Sequence, residues 1–422
     1  MGNTTTDTKE ILIIGAGLAG LCCARHLYES GFSPIIIEAS DGVGGRVRTD
    51  NVEGFLLDRG FQVLLTAYPE AKRMLDYGAL NLRPFFPGAL VHYRGQFCKL
   101  SDPFRQPREA ITTLMSPVGS VFDKFCIAKL RKRACAGPLS DLFQRRETTT
   151  LQALRAYGFS EGMIDGFFRP YLGGVMLDRD LNASSRMFEF VFRMFAQGDT
   201  VVPAEGMGAI PKQLAARLPA DTIRTGVRVA ALADRGVVLE NGESLQGAAA
   251  VVIATDGREA ARILGQPEPP PGRGVTCLYF AADGPPIKEP MLMLDGDGSG
   301  PVNNICVISQ VAPSYAPVNQ SLVSASVIGI PQKSDADLED VVRGQMASWF
   351  GPDVYKWRHL RTYRISNALP DQSPPALEPA ERPVTVREGV YVCGDHRDTA
   401  SIQGAMVSGR RAAEALLKDL QE

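Results

Sequence analysis

The chain has 422 residues, 45% of them hydrophobic and 22% charged, with a formal net charge of −2. That composition excludes a disordered chain, a collagen-like repeat and a disulfide scaffold, and it offers no global field to attract nucleic acid. The length predicts two or three domains, two being the working number, with cores that need no metal or disulfide staple. Glycine, at 42 residues, exceeds the usual ~7%, so its placement is worth following along the chain.

Residues 1–9, MGNTTTDTK, are too polar for a signal peptide and read as a tail. Gly2 with Thr6 fits a loose myristoylation pattern, set aside in favour of a polar lead-in to the first strand. No stretch approaches the ~20 apolar residues that a membrane span needs. Eight cysteines (Cys22, Cys23, Cys98, Cys126, Cys135, Cys277, Cys306 and Cys393) lack CxxC spacing, the usage of a reducing compartment. A cytoplasmic protein, soluble or membrane-peripheral, is expected. His26, His92, His359 and His396 do not cluster at metal-ligand spacing, and no metal site is expected.

Residues 11–14 form a β-branched and leucine run, followed at once by Gly15, Ala16, Gly17, Leu18, Ala19 and Gly20 and then a helical stretch. Strand, tight turn and helix in that order make a phosphate cradle. Gly15 permits the turn, Gly17 admits a pyrophosphate to the backbone, Gly20 lets the helix pack on the strand, and the helix start at Leu18 and Ala19 supplies amide donors. A second strand, 34–37, ends in Glu38, 18 residues past the third glycine. A carboxylate there accepts adenosine ribose hydroxyls and disfavours a 2′-phosphate.

After Glu38 and Ala39 the chain reaches Gly44, Gly45 and Arg46, a doublet and cation with no role in a simple nicotinamide fingerprint. This segment resembles the extended nucleotide motif of the flavin-dependent amine oxidase and phytoene desaturase superfamily. The resemblance implies FAD as cofactor, with Gly44, Gly45 and Arg46 along its diphosphate and ribityl chain and Glu38 with Ala39 at its adenosine end. Residues 55–63 are similar to the family's strand and loop beside the flavin, which would set Gly60, Phe61 and Gln62 near the isoalloxazine.

Residues 76–199 read as proline-punctuated helices. Within them FDKFCIAKLRKR, residues 122–133, spaces Phe122, Phe125, Cys126 and Leu130 as one helical face beside a basic side. That pattern suits either a membrane-surface helix or a domain helix with a solvated basic side. In the resembled superfamily, members acting on carotenoids or porphyrinogens dock on membranes through this part of the chain. Phenylalanines crowd residues 167–175 and 187–195, suiting an elongated apolar pocket or a helical core.

Residues 225–229, 236–240 and 251–255 read as a meander ending in a buried strand, and the resemblance puts the Val229 backbone against the adenine. Residues 275–280, 305–309 and 322–330 read as antiparallel strands. Residues 389–393 read as a buried strand closed by Gly394 and Asp395, and residues 401–413 as a helix. These resemble the family's second flavin fingerprint, which assigns Asp395 to a ribityl hydroxyl and the helix start at Ile402 and Gln403 to the flavin N1 edge. A positive dipole end there would stabilise the reduced ring.

The expected fold is α/β: a discontinuous FAD-binding Rossmann-like domain from residues 10–75, 200–265 and 385–422, and an inserted α+β substrate domain from 76–199 and 266–384. The expected function is an FAD-dependent oxidoreductase taking hydride from a small hydrophobic substrate, an isoprenoid or polyene, as a desaturase or isomerase. No motif names the electron acceptor. A flavin amine oxidase is the alternative. Its family lysine is matched here by Thr276 and one of its cage aromatics by Ile402, both unfavourable to amine oxidation. A non-catalytic relative that binds prenylated proteins is the second alternative, disfavoured by intact flavin motifs. His396, next to Asp395, is read as a backbone-bonded neighbour of the cofactor or a proton relay.

Overall fold

The computed structural model describes residues 10–421; Gly2, Thr6 and the rest of the polar lead-in fall outside the described residues. Five strands, Glu10–Ile14, Ser33–Ile37, Ile223–Arg224, Ala250–Ile253 and Val390–Val392, run parallel, and Thr385–Arg387 joins antiparallel at one edge. The Glu10–Ile14 strand sits between Ser33–Ile37 and Ala250–Ile253. Both of its faces are covered, as its unbroken apolar run requires. Ile11 and Ile13 join the core under the helices Leu18–Glu29 and Ile402–Gln421, while Leu12 and Ile14 pack with Val229, Val237 and Leu239. The two helices touch so closely that a Cβ on Gly409 would come within 2.2 Å of the Ala19 carbonyl oxygen.

The meander differs from the expectation. Its three strands are Val229–Ala233, Gly236–Leu239 and Ser244–Gln246, whereas Ala250–Ile253 leaves it to run parallel in the main sheet. A buried apolar run carries no mark of which sheet it will join.

A seven-stranded sheet lies beyond, in the order Arg358–Leu369, Arg273–Ala282, Ser321–Ile328, Val302–Val307, Leu292–Asp295, Gly88–Tyr93 and Gln96–Ser101. Its pairings are antiparallel except that Leu292–Asp295 and Gly88–Tyr93 are parallel. The stretch 76–199, read as helical, thus also donates a hairpin to this sheet. Along Arg273–Ala282, Leu278, Phe280 and Ala282 pack with Leu338, Val342 and Met346 of the helix Asp335–Phe350. Cys277, Tyr279 and Ala281 face the other way, into the core shared with the nucleotide-binding sheet.

The crowded phenylalanines form core. Phe168, Phe188 and Phe190 are fully buried, and edge-on contacts join Phe159 to Phe168, Phe168 to Phe188 and Phe188 to Phe192. Aromatic pairs prefer such geometry because the ring edge is positive and the face negative.

Asp58 ties the parts together. It ends the strand Phe55–Asp58, and its carboxylate accepts from Thr49 Oγ1, the Met207 amide and Tyr315 Oη, while its carbonyl accepts from Tyr279 Oη. Burial pushes this carboxyl up to about 6, against the three hydrogen bonds that lower it.

Candidate flavin site

The cradle begins where the Glu10–Ile14 strand ends. The Gly15 amide donates to the Ile37 carbonyl at 2.8 Å, and Gly17 caps the Leu18–Glu29 helix with no side-chain hydrogen bond. The first amides of that helix therefore await an acceptor, a ready anion site. A Cβ on Gly17 would meet nothing within 4 Å, so the backbone opens onto space, whereas a Cβ on Gly20 would come within 2.0 Å of the Gly15 oxygen. One glycine keeps room for a ligand, the other for packing.

Glu38 is anchored rather than free to swing. Its Oε2 accepts from the Ala16 amide and its Oε1 from the Ser40 amide, each at 2.7 Å. Each oxygen retains acceptor capacity for a ribose hydroxyl. Ala39, next in the chain, is exposed. The Glu38 carbonyl accepts from the Val227 amide at 2.9 Å, which brings the meander alongside; Val229 is buried, and its carbonyl accepts from Arg262 Nη2.

The doublet folds back onto the cradle. The Gly44 amide donates to the Ala16 carbonyl at 2.8 Å, and a Cβ on Gly45 would stand 3.5 Å from the Gly17 Cα. Gly44 and Gly45 hold φ of 114° and 58°, positive values that L side chains seldom adopt. Arg46 then reaches across the chain: Nη2 meets Asp395 Oδ1 at 2.7 Å and Nη1 donates to the Ala368 carbonyl at 2.8 Å. Gln62 Nε2 donates to the Arg46 and Arg59 carbonyls, tying the two loops. Phe61 stacks edge-on against Phe85 at 6.3 Å.

At the far end, Ser401 caps the Ile402–Gln421 helix: Oγ accepts from the Gly404 amide and the carbonyl from Ala405. The amides of Ile402 and Gln403 lie ahead of these. The Gln403 side chain turns away to accept from the Glu70 amide at 2.9 Å, and Ile402 packs against the core. His396 folds back over Gly394 and against Gly257, with both ring nitrogens buried and unpartnered. Burial, helped by Arg397 and Arg46 and opposed by Asp395, lowers it to about 4, so the ring is neutral at physiological pH. The backbone bond expected of His396 is not made.

Thr276 requires a correction. Its hydroxyl donates to the Gly329 carbonyl, and it lies on the opposite face of the strand from Cys277 and Tyr279. The residues turned toward the flavin loops are its odd-numbered neighbours: a Cβ on Gly60 would meet Ile365 at 2.9 Å and Val275 at 3.8 Å, and Tyr279 bonds Asp58. A shift of one residue exchanges strand faces. Neither face of these strands offers a lysine, since Arg273–Ala282 and Arg358–Leu369 contain none.

These groups fit FAD: an open glycine at an uncapped helix start, an anchored acid at the ribose position, and a cation facing a buried aspartate. Residues 18–417 match the family described as flavin containing amine oxidoreductase. The chain belongs to that family. As a flavin-containing amine oxidoreductase family member it is an FAD-dependent oxidoreductase. It is 23% identical over 97% of its length to the 15-cis-phytoene desaturase of an Oncidium hybrid cultivar, covering 78% of that protein. It is 25% identical over 39% of its length to protoporphyrinogen oxidase 2 of Arabidopsis thaliana, a match spanning 32% of that relative. The solved structure of an oxidoreductase from Methanosarcina mazei superposes with a TM-score of 0.73 at 18% identity, covering 96% of this chain and 100% of that one. Among the described residues no group of His, Cys, Asp and Glu could hold a metal, and no helix is long and apolar enough to cross a membrane.

Neither the direct Arg46–Asp395 pair nor the Asp58 junction is legible in the sequence. Each joins residues far apart in the chain, and a single sequence carries no signal of such pairing.

Proposed function

We propose that this oxidoreductase removes hydride from an apolar, isoprenoid-like or polyene substrate, as a desaturase or an isomerase. The observation carrying this reading is the sheet face toward the flavin loops: Val275, Cys277, Tyr279 and Ile365 supply no lysine and no ionised base. Burial raises the Cys277 thiol and the Tyr279 phenol, which keeps both neutral. Bound FAD supplies the hydride acceptor at its N5. What the protein contributes is position and exclusion of water, sufficient where the cofactor carries the chemistry. Arg46 and Asp395 would hold the ribityl and diphosphate end and Glu38 the ribose, and the start of the Ile402–Gln421 helix would offer its positive end to the charge that reduction develops.

Access from a membrane surface supports the same reading. Ile111, Leu114 and Met115 on the helix Ala110–Met115 and Val121, Phe122 and Phe125 on the contacting helix Val121–Ala134 are exposed, as is Phe104 in the turn that precedes them. Cys126 and Leu130, expected on the same face as Phe122 and Phe125, are instead buried. The helix is anchored from within by Asp123, which accepts from the amides and hydroxyls of Ser120 and Ser160. Exposed apolar groups on a helix that also exposes Lys129 and Lys132 suit a bilayer surface that would hold the substrate, whereas Lys124 and Arg131 are turned inward onto backbone carbonyls and Asp102.

Anaerobic titration of the flavin-loaded protein with polyenes and with primary and secondary amines tests the reading. Bleaching of the flavin by polyenes alone is expected; bleaching by amines alone would overturn it.

A further inference from the structure

Four arginines converge on a concavity of about 210 Å³ in the helical region, lined by Arg133, Arg145, Arg146, Arg186, Tyr157 and Glu189 among others. Glu189, buried, is the one carboxylate of that wall; it takes Arg145 Nη1 and accepts Tyr157 Oη, and Arg133 Nε stands 3.9 Å from it. Arg186 is buried and held by backbone: Nε donates to the Arg145 carbonyl and Nη1 to the Leu377 carbonyl. Its Nη2 lies 4.0 Å from the exposed Glu378. Even with Glu378 counted, the cations outnumber the carboxylates two to one. Arg146 is exposed and, among the described residues, has no ion-pair partner. Arg133 spreads over the Tyr157 ring at 5.5 Å, with its side chain 60% exposed.

The chain as a whole is slightly acidic, at −2, so this concentration of positive charge is local. Guanidinium groups only half balanced by carboxylates repel one another, and two of these are fixed by backbone carbonyls rather than free to separate, Arg186 by those of Arg145 and Leu377 and Arg145 by that of Arg133. Their planar forks match phosphate oxygens in pairs. The Ser185 hydroxyl and Thr148 also line the wall. The volume is below the ~300–1,000 Å³ of sites for drug-sized ligands, room for a small anion and not for a polyene. Four cations against two carboxylates leave an excess of two, which favours a doubly charged group over a single carboxylate.

We propose that this arginine cluster is a binding site for a phosphate-bearing anion, separate from the flavin cradle and independent of the substrate reading. Phosphate is the shared chemistry, whether it arrives on a soluble metabolite or as a lipid headgroup. Arg133 and Arg146 offer exposed guanidinium groups to the anion, Arg186 a buried one held by backbone, and Glu189 holds Arg145 and Tyr157 in place.

The test uses flavin-loaded protein, so that the FAD diphosphate site is filled, titrated with inorganic pyrophosphate at constant ionic strength. Saturable one-to-one binding is expected, weakened at least tenfold by Arg146→Ala and by Arg133→Ala with unchanged flavin absorbance, and unaffected by the exposed Arg217→Ala. Absence of binding, or equal affinity in all variants, would overturn the proposal. Vesicles of phosphatidylcholine with and without phosphatidic acid separate the sources. Phosphatidic acid-dependent capture that Arg146→Ala abolishes assigns the site to a headgroup. Loss of pyrophosphate binding in Arg146→Ala with capture unchanged assigns it to a soluble ligand.

Discussion

Arg46 meets Asp395 at 2.7 Å although 349 positions separate them, and each is assigned by resemblance to the same stretch of cofactor. A hydrogen bond to a charged group contributes about 1.5–3 kcal/mol, so Arg46→Ala should weaken FAD retention by roughly tenfold or more, at 1.4 kcal/mol per factor of ten. Flavin content measured by absorbance after gel filtration checks this, and a variant as yellow as the parent would count against it. Gly17→Val should have a similar outcome by another route, because its side chain would occupy the open space over the helix start. Asp58 makes a prediction about pH. Its folded value, about 6, lies above the ordinary 3.8, so the folded state binds more protons than the unfolded one between roughly pH 4 and 6. Stability from this group is complete below that window and is lost as pH rises through it. Asp58→Asn keeps an acceptor for Thr49 and Met207 and cannot ionise. Its melting temperature should therefore gain on the parent's from pH 4 to pH 7, by the equivalent of about 1–3 kcal/mol. A difference that stays constant with pH would contradict the assignment.

At the scale of elements, what a sequence reveals depends on whether the backbone or a face does the work. The Gly15 to Gly20 turn and the Gly44–Gly45 doublet were legible because close approach and positive φ leave few residues to choose from. The strand Arg273–Ala282 is legible as an antiparallel strand at 275–280, but its facing is not, since nearly all of it is buried and an apolar run without alternation hides its register. For that reason the match of Thr276 to the family lysine carries no information about the face it takes. The helix Val121–Ala134 failed differently: Phe122 and Cys126 share a helical stripe in sequence, yet only Cys126 reaches the core. The exposed pair now carries a prediction. Phe122→Ser with Phe125→Ser should leave the melting temperature nearly unchanged and reduce sedimentation with anionic vesicles severalfold. A large loss of stability with vesicle binding intact would return both rings to a packing role.

Across the whole molecule, the nucleotide-binding sheet collects strands from residues 10–37, 223–253 and 385–392, and the cradle stands where those strands end. That convergence was readable from paired motifs at the two ends of the chain. The arginine cluster was not, because Arg133, Arg145, Arg146 and Arg186 come from separate helices and loops and carry no common spacing. The seven-stranded sheet turns its Val275, Cys277 and Tyr279 face toward the loop of Gly60 and the Asp58 junction, a lysine-free wall on which the proposed function rests. The central claim is that hydride leaves an apolar carbon chain for the flavin. It is tested most directly by the rate of anaerobic flavin reduction with an isoprenoid polyene, light or deuterated at its allylic carbons. The account predicts reduction by both, several times slower with the deuterated chain. Failure of either polyene to reduce the flavin, under conditions in which a simple amine does so, would contradict it.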